Sequence, residues 1–436
     1  MRWFLAAAAI LLVSLVFDLG LLAYAMYVLL AVMLVSRLLA RTWHQNLSAS
    51  RECNKLTAEI GETVAVVVNV KNKGRIPIAW VLLEDLLPRS ALMYNPPNLK
   101  VKGRRIELAG FKGGRGHAVL YQLECNQRGY YQIGPLVMET GDLFGLHRRW
   151  RVATEPHFLL VYPKVLPIEG YDIASRRPIG EVRMSHRLYE DPTRNAGVRD
   201  YQPGDPLNRI HWRATARTGS LHSKVYEPST VVGATIVLDF HQAGYAREHE
   251  PMRSELAVTC AASLANALYG MNQQVGLVTN GRDAADRIRT QGWDVDYGTR
   301  GAAQSSAAMI EKSERLQPVI VPTRRGPEQF MRILETLARL ELTDGLTLAQ
   351  LCLEAASRLP RDASVIVILS AVTDEAAIAL GSLVRRGFAV TALVNLHEPS
   401  DYAQHAGRLL AQGVESRHQP DEAAIVEVCR RAGRGR

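Results

Sequence analysis

Arg194-Asn-Ala-Gly-Val-Arg-Asp-Tyr-Gln-Pro-Gly-Asp-Pro-Leu-Asn-Arg-Ile-His-Trp-Arg-Ala-Thr-Ala-Arg217 concentrates charge, aromatic and turn residues more densely than any other part of the chain. It also separates two kinds of sequence. Before it lie an apolar N-terminus and a run of short β-type segments. After it, strand-type and helix-type segments alternate. Within it, Tyr201-Gln-Pro-Gly-Asp205 has turn chemistry, Asp205 suits an N-cap, Pro206 suits a first helical position and Gly219 suits a stop. A short helix is therefore expected over 206–217, with a strand over 221–226. On that helix Arg209, Arg213 and Arg217 recur every four residues as one basic stripe.

Three roles compete for the stripe. Asp200 and Asp205 can pair with the arginines in a network that locks the two halves of the chain, since the guanidinium fork matches a carboxylate. The stripe can meet an acidic partner or a phosphate. Asp205 and His211 can form an acid–base pair, giving a hydrolase. No nucleophile at a recognisable spacing accompanies that pair, and a His beside Trp212 is more often structural.

Working outward, residues 3–39 are almost wholly apolar, interrupted at Asp18 and Gly20. One helix of that length far exceeds the ~20 residues a bilayer requires, so two helices over 3–17 and 21–39 are expected, joined at Asp18-Leu19-Gly20. A signal peptide is the alternative, but the apolar run continues into a second segment. Arg2 precedes the first helix, and Arg37, Arg41 and Arg51 follow the second, which places both ends in the cytoplasm of an inner-membrane, multi-pass protein. The net charge of +9 then fits an anionic lipid surface. The five cysteines are scattered and form no C-x-x-C pair, as expected of small buried residues in a reducing compartment.

Residues 45–168 read as a β-sandwich. Short β-type segments at 63–70, 78–83, 104–108, 118–125, 130–133, 136–140 and 157–161 are separated by Gly, Pro and Asn turns. For Arg128 and Asp142 the expected role is turn structure. Residues 169–229 are taken as a linker carrying the signature. Residues 230–436 alternate strands (231–240, 274–279, 318–322, 364–369, 388–395) with helices (252–269, 328–340, 346–359, 374–386, 401–412). That is the pattern of a parallel, doubly wound α/β sheet. Residues 283–306 read as a polar excursion, and the basic 430–436 tail as a solvated end.

The motif Arg199-Asp200-Tyr201-Gln-Pro-Gly204-Asp205, followed by Arg209-Ile-His211-Trp212 and Ala216-Arg217, resembles the signature of the domain of unknown function 58 family. Gln127-Arg-Gly-Tyr-Tyr-Gln-Ile-Gly-Pro135 and Gly141-Asp-Leu-Phe-Gly-Leu146 resemble that family's β-region, and the apolar hairpin resembles its anchor. The resemblance implies a bacterial membrane-anchored protein with a von Willebrand factor A-like domain and a MoxR-type AAA+ ATPase as partner. A metal-competent domain of that kind ends its first strand in Asp-x-Ser-x-Ser. Here the strand ends Asp239-Phe-His241-Gln-Ala243, so both serines are replaced. Asp374 matches the late Asp. Asp239, His241 and Asp374 are therefore the candidate ligands of a divalent cation at a degenerate site, and the expected cofactor is none.

No phosphate loop, Gly-x-Ser-x-Gly elbow or His-Glu-x-x-His pattern occurs. The expectation is a non-catalytic scaffold that binds proteins, without a small-molecule substrate. Nucleic acid is not expected, because basic residues alternate with acidic ones and no stacking platform is evident. The alternative is a metal-dependent protein-binding domain.

Overall fold

The computed structural model describes residues 2–94, 96–143, 145, 147–168, 190–202, 210–228, 233–285, 316–360 and 363–427. The chain divides into two units, the first comprising residues 1–164, 282–315 and 334–341, the second 165–281, 316–333 and 342–436.

The first unit opens with α1 (Arg2–Val16) and α2 (Gly20–Asn46). Asp18 takes the left-handed conformation at φ +50°, and the Leu19 N–H donates to the Ser14 carbonyl at 2.9 Å, closing the turn. Among the described residues, α2 alone is long and apolar enough to cross a membrane, and the apolar part of α1 is shorter. It also runs seven residues past its expected end. Ala40 and Trp43 are buried, and Trp43 belongs to the core of the β-domain, so tertiary packing carries the helix up to the first strand.

Eleven strands follow: β1 (Leu47–Cys53), β2 (Thr57–Glu59), β3 (Thr63–Asn72), β4 (Ile78–Asp85), β5 (Leu99–Gly103), β6 (Ile106–Phe111), β7 (Gly116–Cys125), β8 (Gly129–Ile133), β9 (Leu136–Gly141), β10 (Arg148–Thr154) and β11 (His157–Tyr162). A short helix, α3 (Arg89–Met93), interrupts them. They form sheets β1-β3-β7-β5, β10-β9-β4-β6 and β2-β11-β8. In β3 the β-branched Val64, Val66, Val68 and Val70 all point inward, and in β7 Val119, Tyr121, Leu123 and Cys125 do the same. They share one core with Val81 and Leu83 of β4 and Met138 of β9, which is sandwich packing.

Inside this unit, Arg51 and Asp85 form a fully buried ion pair. Arg51 also donates to the carbonyls of Ile133 at 3.2 Å and Glu155 at 2.8 Å, and the Tyr121 hydroxyl donates to Asp85 Oδ2 at 2.6 Å. Burial, with the Asp85 carboxylate beside it, holds the Tyr121 phenol protonated far above its usual range. Gly134 sits against this pair at φ +88°, where a Cβ would collide with the guanidinium. Asp142 keeps its expected turn role, accepting from the His147 N–H at 2.6 Å. Arg128 does more than shape a turn. It is buried and donates to the carbonyls of Leu337 at 2.7 Å and Leu340 at 2.9 Å, also of the first unit, where a helix end leaves carbonyls without helical partners.

In the second unit, residues 169–229 are more than a linker. Their described part holds β12 (Glu190–Asp200), α4 (Trp212–Thr218) and β13 (His222–Pro228), with β12 and β13 paired antiparallel. Then come β14 (Gly233–Leu238), α5 (Met252–Gly270) and β15 (Gln274–Thr279). A two-residue strand β16 (Arg282–Asp283) pairs with β18 (Leu340–Glu341) in the first unit. The chain continues through β17 (Val319–Arg324), α6 (Pro327–Arg339), α7 (Leu348–Ala355), β19 (Ala363–Leu369), α8 (Asp374–Arg385), β20 (Val390–Val394), α9 (Pro399–Ala411), β21 (Glu415–His418) and α10 (Glu422–Glu427).

The six-stranded sheet has the order β17-β15-β14-β19-β20-β21. It is parallel except at one edge, where β17 runs antiparallel to β15. Val237, Val278, Val365, Val367 and Leu369 share a core with α7 and α8. The alternate residues Ile236, Leu277 and Ile366 are buried too and so face the other way, and α5, itself mostly buried, packs along β14, β15 and β19. Cys125, Cys260 and Cys352 are buried and Cys53 half-buried, all as free thiols. Cys429, the 430–436 tail and most of 283–306 lie outside the described residues.

Candidate functional site

Two places in the second unit bring chemistry-bearing residues together. The first is the signature hairpin. The ladder pairs Arg199 with Ser223 and Asp200 with His222, and Ile210 then bridges to Ser223. Ile210 is buried, and the His211 N–H donates to the His222 carbonyl at 2.8 Å. The chain is therefore still extended at Ile210, and the helix begins at Trp212 rather than at 206. His211 is its N-cap, with Nδ1 accepting from the Ala214 N–H at 3.0 Å. Gly219, at φ +73°, ends the helix as expected.

This geometry sorts the expected roles. Asp200 is 88% exposed at its side chain and lies 3.3 Å from His222 Nε2. Arg199 donates to the Asp200 carbonyl at 3.2 Å, and the Tyr201 N–H donates to the Leu221 carbonyl at 2.9 Å. Arg213 and Arg217 are exposed, and Trp212 beside them is 68% exposed. Neither arginine pairs with a carboxylate among the described residues. Gly204, Asp205 and Arg209 lie outside the described residues.

The second place is the carboxyl edge of the parallel sheet. Each parallel strand is followed at once by a buried polar residue: Asp239 after β14, Asn280 after β15, Ser370 after β19, Asn395 after β20 and Gln419 after β21. The chain order reverses between β14 and β19, the position at which open α/β sheets form their crevice. Asp239 is 6% exposed. Its Oδ1 accepts from Asn280 Nδ2 at 2.8 Å and from the His241 N–H at 3.3 Å, and its carbonyl accepts from the Tyr245 hydroxyl at 2.8 Å. Burial raises its pKa, against the opposing effect of those hydrogen bonds. Burial, with Asp239 nearby, pushes the Cys352 thiol up to about 12. The Ser370 hydroxyl and both side-chain polar atoms of Gln419 are buried without a hydrogen-bond partner among the described residues.

The three candidate ligands do not assemble. His241 turns its Nδ1 back to accept from the Ala243 N–H at 3.2 Å, capping a single turn. Asp374 is 83% exposed at the start of α8, with Arg408 Nε 3.6 Å away, while Thr373 supplies that helix's N-cap. Among the described residues no group of three or more His, Cys, Asp or Glu could hold a metal ion. The physical reason is that His241 caps a local turn, while Asp374 stands exposed beside Arg408. Asn280, Ser370, Asn395 and Gln419 went unnoticed in the sequence: the first three directly follow apolar strands, but only the aligned sheet brings all four to one edge.

A family model described as "Protein of unknown function DUF58" matches residues 197–293. The matched stretch is similar to that family. It takes in the end of β12, α4 and β13, then β14 with Asp239, α5, and β15 with Asn280. The chain is 25% identical over 261 residues to the "Uncharacterized protein YeaD" of Bacillus subtilis, covering 60% of this chain and 62% of that relative's length. Among solved structures, the chain is similar to the CARDB domain of a Pyrococcus furiosus protein, at 10% identity and TM-score 0.18 over 26% of this chain and 91% of that one. A PapD-like domain of human CEP192 is similar at 16% identity and TM-score 0.18, over 26% and 82%. Proximal thread matrix protein 1 from the mussel byssus is similar at 10% identity and TM-score 0.27, over 46% and 47%.

Proposed function

We propose that the protein is a membrane-anchored, non-catalytic binding protein whose DUF58 segment recruits a protein partner through α4. The observation that carries this reading is Trp212 standing exposed beside the exposed Arg213 and Arg217. Aromatic and arginine side chains supply much of the energy at protein interfaces. The hairpin beneath holds α4 by the buried Ile210, the His211 cap and the Gly219 stop, so the presented side chains start from a fixed frame.

On this reading α1 and α2 cross the inner membrane as a hairpin with the rest of the chain in the cytoplasm, as Arg2, Arg37 and Arg41 favour. The partner is a MoxR-type AAA+ ATPase, as the family resemblance implies. The second unit is von Willebrand factor A-like. Its parallel strand order, with an acid directly after the central strand, supports that assignment. The test is affinity capture from a detergent extract, comparing the wild type with an R213E/R217E variant of unchanged thermal midpoint. An AAA+ ATPase should be recovered with the wild type and lost with the variant. Recovery of none with the wild type, or equal recovery with both, overturns the reading.

A further inference from the structure

The end of α2 meets one loop, to which a second is bonded, and both carry only positive charge. The Lys73 N–H donates to the Asn46 carbonyl, the last of α2, at 2.8 Å. The buried Asn72 ties the loops together. Its N–H donates to the Arg115 carbonyl at 3.0 Å, and its Nδ2 donates to the Ile76 carbonyl at 2.9 Å. The Gly114 N–H completes the join, donating to the Gly74 carbonyl at 3.0 Å. Residues 71–77 and 112–116 are thereby fixed around one point, the place where the apolar helix meets the β-domain.

The charge there has one sign. Lys71, Lys73, Arg75, Lys112 and Arg115 are all exposed, as are Arg37 and Arg41 on α2. No Asp or Glu occurs in residues 19–51, 63–83 or 108–123. The nearest acid along these strands, Glu107, is occupied by His117 Nε2 at 2.9 Å. Beside the loops runs an open groove lined by Ser48, Ser50, Lys71 and Lys73, hydroxyls and ammonium groups of the kind that suit a phosphate.

The length of α2 sets the height of this rim. Its 27 residues span about 40 Å, against a hydrocarbon core of about 30 Å. Asn46 therefore emerges about 10 Å beyond the core, within the headgroup layer and roughly one screening length of the lipid charges. We propose that the 71–77 and 112–116 loops are a docking surface for anionic lipid headgroups, which seat the β-domain on the membrane in a fixed orientation. This rests on the reading of α2 as a membrane span. It adds that the membrane is a ligand of the β-domain as well as a solvent for the helix.

The test is hydrogen exchange of the full chain in nanodiscs of phosphatidylcholine alone or with phosphatidylglycerol. Peptides covering 71–77 and 112–116 should exchange about tenfold more slowly in the anionic discs. High salt should remove the difference, as should the variant K73Q/R75Q/K112Q/R115Q. The charge-preserving variant K73R/R75K/K112R/R115K should retain it. Equal exchange in both discs, with α2 protected, overturns the docking surface and leaves the anchor standing. An α2 that exchanges freely in both discs overturns the anchor and the docking surface with it. Slowing by added RNA or an acidic peptide, and not by phosphatidylglycerol, shows a macromolecular site and overturns the lipid assignment.

Discussion

Asn280 holds Asp239 at the carboxyl edge of the sheet. Its Nδ2 donates at 2.8 Å to the Asp239 carboxylate and at 2.9 Å to the Leu346 carbonyl, while its Oδ1 accepts from the Phe240 N–H at 2.6 Å. One amide thus satisfies three buried groups from two neighbouring segments. Asn280→Ala should remove about 1–3 kcal/mol of stability, because buried partners are left unsatisfied. Denaturant unfolding of the two proteins measures it, and an unchanged midpoint would show that the network carries no weight.

Asp239 itself makes stability depend on pH. Burial raises its folded pKa above the unfolded value of about 3.9, so the folded state holds the extra proton between the two values. Its favourable contribution is complete below the unfolded pKa and is lost as pH rises through the folded one. Asp239→Asn cannot titrate, and its amide oxygen can still accept from Asn280 and His241. Its thermal midpoint relative to the wild type should therefore climb as pH rises from about 4 to about 8. A wild type that instead gained on the variant would mean that the carboxylate is stabilised in its ionised form.

The Arg51–Asp85 pair separates the cost of a broken ion pair from that of a lost hydroxyl. Asp85→Asn or Arg51→Met strands a buried charge and should destabilise the protein by about 3–5 kcal/mol. Tyr121→Phe removes one hydrogen bond to Asp85 Oδ2 and should cost about 1 kcal/mol. Urea unfolding of the three variants gives the comparison, and equal costs would contradict it.

Much of the fold was legible wherever burial imposed a period. The alternating valines of β3 marked it as a half-buried strand, and the apolar runs of β14, β15 and β19 marked fully buried ones. Strands without such a signal were missed. β1 (Leu-Ser-Ala-Ser-Arg-Glu-Cys) and β21 (Glu-Ser-Arg-His) are polar segments that become strands by pairing with β3 and β20. The start of α4 was misplaced for a related reason. Asp205-Pro206 has the chemistry of a helix start, but buried Ile210 bridges to Ser223 and His211 caps the helix, so α4 starts at Trp212. At the site, Asp239 stood out by its charge. The neutral Asn280, Ser370, Asn395 and Gln419 acquire meaning only when the sheet aligns their strand ends.

The central claim is that α4 presents Trp212 to a protein partner. A photo-crosslinking amino acid in place of Trp212, in the full chain in living cells, tests it most directly. Illumination should yield one dominant adduct with an AAA+ ATPase, and adding Arg213→Glu and Arg217→Glu should abolish it. An adduct confined to the chain itself, or one with the ATPase that is indifferent to both charge reversals, would contradict the claim.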